Sequence, residues 1–135
     1  MADRTREIDK LIKDFLRGKI DIKIKARRMW LLRYVPTENN GANKVKNNTS
    51  PQEWYVLKNE ALDEGQDKEL AELEYQKEIL TMLWECESSE TKQIVSLKLK
   101  DERRWYQVAQ SLFISERTAQ QRYYDFRDTV SEMLT

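Results

Sequence analysis

The chain has 135 residues, 36% of them charged and 39% apolar, with three Gly and two Pro. This suits a helical soluble protein, either one domain or two small modules with a linker, and excludes a β-sandwich. Lys and Arg balance Asp and Glu at 24 each, there is no His, and Cys86 is the single cysteine. An internal disulfide is therefore excluded, and the commonest general base and metal ligand is missing.

No apolar run is long enough to span a bilayer, and MADRTREIDK lacks the apolar core of a signal peptide. The expected location is a reducing cytoplasm, with no membrane partner, metal or cofactor. Cys86, beside Trp84, reads as a small core residue without a redox role. Three scattered glycines make no phosphate-cradling loop, and one Cys without His makes no thiol dyad, so no enzyme activity is expected.

Arg4 to Leu16 reads as an amphipathic helix with Ile8, Leu11, Ile12, Phe15 and Leu16 on one side, ending near Gly18. The alternation of Ile20, Ile22 and Ile24 is compatible with a strand. No second strand candidate lies nearby to pair with it, so a helix to about Tyr34 is preferred, forming a hairpin with the first. Residues 1–35 make a basic helical module. Its Lys23, Lys25, Arg27, Arg28 and Arg33 surround Met29 and Trp30, either as a wet face or as a phosphate or partner contact. Residues 36–50, PTENNGANKVKNNTS, contain no apolar period and read as a linker.

Ser50-Pro51-Gln52-Glu53 is a strong helix start, with a Ser cap, Pro at the first helical position and Glu placed for a capping box. Trp54, Leu57 and Ala61 mark one face until Gly65 weakens the helix. Leu70, Leu73, Leu80 and Trp84 continue as a core helix or a short coiled coil, closing an acidic central segment over residues 51–87.

Charge is distributed unevenly. Residues 1–50 carry +7, residues 51–90 carry −9 and residues 91–135 carry +2. Such asymmetry speaks of partners more than of fold.

Residues 88–135 divide into Glu90–Leu99, capped by Ser88 or Ser89, then Glu102–Leu112, capped by Asp101, then Ser115–Leu134. In the last two, Val108, Ala109 and Leu112 form an inner stripe and Ile114 plugs the turn. Ala119, Tyr123, Phe126 and Val130 recur at steps of four, three and four. Ser115 is placed as an N-cap, with Glu116 in the first turn where the helix dipole favours negative charge. This is the helix-turn-helix pattern that sets a helix in the major groove.

The stretch SETKQIVSLKLKDERRWYQVAQSLFISERTAQQRYYDF resembles the fourth region of bacterial sigma factors. The matching residues are Trp105, Val108 and Ala109 on the first helix, Leu112, Ile114 and Ser115 in the turn, and Thr118 and Arg122 on the second helix. The same module closes the ArpU and RinA families, small activators of late genes in phages of Gram-positive bacteria, which this chain is similar to in length and layout. The resemblance implies an all-α fold with a C-terminal DNA-binding module. It also implies double-stranded DNA as a partner and host RNA polymerase as a second one. One residue departs from the pattern: Phe113 stands where Gly is favoured because the turn wants positive φ, which costs a bulky residue about 1 kcal/mol or more. Either the turn differs, or strain is offset by burying the ring.

Projected at about 100° per residue, the second helix turns Arg117, Gln121, Tyr124 and Asp128 outward. Thr118 and Gln120 flank them, and Arg122 lies nearer the buried edge. Arg suits guanine, Gln suits adenine, and Thr or Tyr can reach bases or phosphates. Arg117 and Gln121 are expected to contact bases, and Arg103, Arg104 and Arg122 to hold phosphates. Ser115, Thr118, Gln120 and Tyr124 complete the candidate set.

With an excess of only +2, the module is expected to need a second copy, the basic N-terminal half or a partner to hold DNA. The leading function is sequence-specific transcription activation. The alternatives are a DNA-packaging subunit resembling a phage small terminase, whose DNA module usually comes first in the chain, and a module binding RNA polymerase.

Overall fold

The computed structural model describes residues 2–33 and 50–134; the Asn-rich segment read as a linker lies outside them. The described residues are mostly helical, with no strand among them, and none of their helices is long and apolar enough to cross a membrane. The order is α1 (Ala2–Leu16), α2 (Lys19–Leu31), α3 (Pro51–Asp63), α4 (Lys68–Cys86), α5 (Ser89–Val95), a π-helical turn (Ser96–Lys100), α6 (Trp105–Leu112) and α7 (Glu116–Met133). The helical reading of residues 19–31 holds for a physical reason: Ile20 and Ile24 turn inward one turn apart while Ile22 faces solvent.

The chain forms two compact units, residues 1–21 with 76–135, and residues 22–75. The boundaries fall inside α2 and α4. The reason is that α1 finds its packing partners far along the chain, in the π-helical turn and α7.

In the first unit Ile12, Leu80, Ile94, Val95, Val108 and Val130 are fully buried, each worth roughly 1.5–3 kcal/mol. Trp84 sits edge-on between Phe15 and Phe126, with centroids 6.5 and 5.9 Å away. Cys86 is exposed, contrary to its reading as core, because it lies on the side of α4 opposite the buried Leu80.

The second unit has a smaller core of Leu32, Leu62 and Leu70, with Ile24, Leu31 and Trp54 packed against it. Leu57, expected on this face, is exposed; Leu62, two turns on from Trp54, takes the inward place. Ser50 caps α3 by accepting the Glu53 N–H at 3.1 Å. Gly65, at φ 88°, stops that helix, and the Gln66 N–H closes back on the Ala61 carbonyl at 3.0 Å, a Schellman-type end that favours Gly.

Charge also shapes this unit. Arg27 forks onto Asp67 at 2.9 and 3.0 Å. Arg28 reaches Asp63 at 2.7 Å, Glu74 at 3.1 Å and Asn59 at 3.1 Å. Two cations of the basic cluster are thus consumed by the acidic segment, so part of the charge asymmetry belongs to the fold and not to a partner.

Candidate nucleic-acid interface

The stretch leading into α6 departs from regular helix. After α5, capped by Ser88 through the Thr91 N–H at 3.2 Å, the chain widens into a π-helical turn. The Asp101 N–H then bonds to the Ser96 carbonyl at 3.1 Å and the Arg103 N–H to the Leu97 carbonyl at 3.0 Å. Glu102 adopts φ 55°, a left-handed conformation unusual for a non-Gly residue.

What holds Glu102 there is α1. Lys13 bonds to its carboxylate, Arg17 lies 3.6 Å from it, and Arg17 also donates to the Lys100 carbonyl at 2.8 Å. Lys13 first, then Arg17, holds the Glu102 carboxyl below its ordinary range. Asp101 is therefore not a cap, and α6 starts at Trp105 with Arg104 at the N-cap. The Arg104 backbone N–H donates to Gln107 Oε1 at 3.1 Å, the reciprocal half of a capping box.

The α6–turn–α7 unit follows the expected geometry. The two helices pack on each other and α5 packs on α7, with Val108 and Ala109 buried from one side and Ala119, Tyr123, Phe126 and Val130 from the other. Trp105 meets Tyr123 edge-on at 5.6 Å, and Lys98 stands 5.0 Å from the Trp105 ring centre. Tyr123 donates to Asp9 on α1; burial first, then this acceptor, pushes its phenol far above the ordinary range.

Phe113 is left-handed, with φ 56° and ψ 41°, so the turn has the conformation Gly would give it. Its ring is 95% exposed. Both sequence expectations fail here: the turn does not differ, and no burial of the ring offsets the strain. The Ile114 N–H bonds to the Ala109 carbonyl at 3.1 Å, and this closure fixes the turn.

The candidate residues divide into three groups. Arg103, Arg104 and Arg117 are exposed, and their side chains meet no hydrogen-bonding or charged partner among the described residues. Ser115 and Thr118 are joined in capping: Ser115 Oγ accepts the Thr118 N–H at 3.1 Å and donates to Thr118 Oγ1 at 2.8 Å. The remainder are engaged with neighbours, apart from half-buried Gln120.

Gln121 donates to Asp125 at 2.9 Å. Arg122, the guanidinium expected to hold phosphate, lies 3.0 Å from Glu90 on α5 in an ion pair between partly exposed side chains. Tyr124 is turned against Trp105 and Tyr123, at 6.3 and 5.8 Å, with the Arg127 guanidinium 4.7 Å from its ring. It is thus part of an aromatic cluster and less outward than its projection. Sequence reading missed the Glu90 and Asp125 partners. Asp125 was findable from its i, i+4 spacing to Gln121; Glu90, on a different helix, was not.

A family model described as a protein of unknown function (DUF722) matches residues 1–132, which takes in every residue of this site. No curated protein and no solved structure matches the chain.

Proposed function

We propose that this chain, which belongs to the DUF722 family, is a sequence-specific double-stranded DNA-binding regulator of transcription. On this reading it acts in the cytoplasm of a bacterial host as an activator of phage late genes, with host RNA polymerase as a second partner. The observation that carries the reading is the α6–turn–α7 unit with its three uncommitted guanidinium groups. Arg117 stands in the first turn of α7, the end that enters a major groove in this motif. Arg103 and Arg104 stand just before α6, where backbone phosphates pass. The resemblance of residues 89–126 to the fourth sigma region supports the promoter-proximal role.

In mechanism, Arg103 and Arg104 neutralise phosphates and set the register, while Arg117 reads a base edge, bidentate geometry suiting guanine. Reading by Gln121 requires its amide to leave Asp125, a weak exposed bond. Arg122 steadies the α5–α7 packing through Glu90. A mobility shift with phage promoter DNA, run across salt concentrations, tests the assignment. Arg104→Ala is expected to weaken all duplexes alike and lower the salt slope by about 1. Arg117→Ala is expected to relax sequence preference by about 1–3 kcal/mol. Unchanged binding by both variants overturns the site.

A further inference from the structure

Arg103 and Arg104 stand on an irregular stretch of backbone that their own segment does not hold in place. The chain reaches them through the π-helical turn Ser96–Lys100, and Glu102, directly before Arg103, is left-handed at φ 55°. That conformation is sterically disfavoured for a residue with a Cβ, so it persists only where neighbours enforce it.

The neighbours are on α1, which belongs to the same compact unit, residues 1–21 with 76–135. Lys13 bonds to Glu102 Oε1, Arg17 stands 3.6 Å from the same oxygen, and Arg17 also donates to the Lys100 carbonyl at 2.8 Å. α1 therefore grips the connection on both sides of Asp101, and it packs on the π-helical turn as well. The Arg103 N–H ends on the Leu97 carbonyl at 3.0 Å and the Arg104 N–H on Gln107 Oε1 at 3.1 Å. The two backbones are thus fixed while both side chains remain exposed. The pairing has an electrostatic consequence too. Left alone, the exposed Glu102 carboxylate would stand beside both guanidinium groups and repel phosphate; Lys13 and Arg17 cancel it. The junction then presents five cations, Lys13, Arg17, Lys100, Arg103 and Arg104, against two carboxylates, Asp101 and Glu102.

We propose that Glu102 is a positioning residue for the phosphate contacts. Through Lys13 and Arg17, α1 locks the left-handed turn that aims Arg103 and Arg104 at the DNA backbone, so the DNA-binding unit is α1 together with α5, α6 and α7. The inference rests on the DNA reading above.

The salt dependence of binding tests it, because the slope counts the phosphates neutralised. Mobility shifts with one promoter duplex compare the full chain, Glu102→Gln, the double variant Arg103→Ala with Arg104→Ala, and the exchanged pair Lys13→Glu with Glu102→Lys, with circular dichroism giving the folded fraction of each. Glu102→Gln removes a negative charge, and charge alone would tighten binding. Positioning predicts the opposite: affinity weaker by roughly tenfold or more and a slope smaller by about 2, as in the arginine double variant. Preference for the base facing Arg117 should be kept. Simple destabilisation would lower the folded fraction and leave the slope unchanged. The exchanged pair restores the ion pair at unaltered net charge and should recover the slope. Glu102→Gln with a slope equal to or above that of the full chain overturns the proposal, as does a folded exchanged pair that does not recover. Either result leaves the DNA reading standing when the arginine double variant loses slope. A full chain that binds no duplex at any salt overturns both.

Discussion

Phe113 combines two unfavourable features in one residue: a left-handed backbone and a phenyl ring almost wholly in water. Gly would occupy the same φ and ψ without steric cost, so Phe113→Gly is expected to raise stability by about 1 kcal/mol. A thermal melt checks this; a lowered midpoint would mean that the ring does have cover. Strain without internal compensation tends to sit at functional positions, and this residue lies two before the N-cap of α7. Glu102 offers a contrast. It too is left-handed, at φ 55°, but Lys13 and Arg17 hold its carboxylate. Its carboxyl is depressed in the folded chain, so the contribution it makes is present above the ordinary Glu range, near 4.5, and is lost as pH falls through the folded value. Glu102→Gln should therefore destabilise at neutral pH and flatten the acid limb of a stability–pH curve. An acid limb identical to wild type would show that the α1 contacts carry nothing. The sequence flagged Phe113 because its turn position is local. It gave no signal for Glu102, whose partner Lys13 is 89 residues away and whose other partner, Arg17, lies just past the end of the same distant helix.

Among the elements, α7 was the most legible. Ala119, Tyr123, Phe126 and Val130, the four positions read as inward, are all buried, because a helix that docks one face repeats its apolar residues at that period. Its start was legible too, since Ser115 accepts the Thr118 N–H as an N-cap should. Ser115→Ala is expected to cost about 1 kcal/mol, measured by chemical denaturation. It should also lower affinity for every duplex alike, because the cap orders the turn that carries Arg117; unaltered stability would contradict the capping role. The start of α6 was not legible. Asp101 and Glu102 resemble a helix opening, yet the π-helical turn before them displaces the backbone, and the helix begins only at Trp105. On α3 the expected Leu57 gave way to Leu62, a slip of register that a short periodic segment does not prevent. The outward residues of α7 illustrate a different limit. A projection places a Cβ, but whether a guanidinium is at liberty depends on neighbours such as Glu90, which only packing reveals.

For the whole molecule, the all-α class was legible from composition and periodicity, whereas the division into units was not, since α1 joins the C-terminal helices across most of the chain. Charge shows the same limit. A neutral chain with a +7 first part suggests a basic surface offered to DNA, yet Arg27 and Arg28 are spent on Asp63, Asp67 and Glu74. Arg27 holds the Asp67 carboxyl below its ordinary range, and Arg28→Ala is expected to lower the thermal midpoint by releasing three acceptors at once. No change in midpoint would return this cluster to the list of phosphate contacts. With that charge committed, the proposed regulator relies on Arg103, Arg104 and Arg117. The measurement that tests the DNA reading most directly is enrichment of bound duplexes from a randomised pool, using the full chain and its Arg117→Ala variant. The expected result is a recurrent motif with the full chain and lost preference at one position with the variant. Recovery of no motif from the full chain would contradict it.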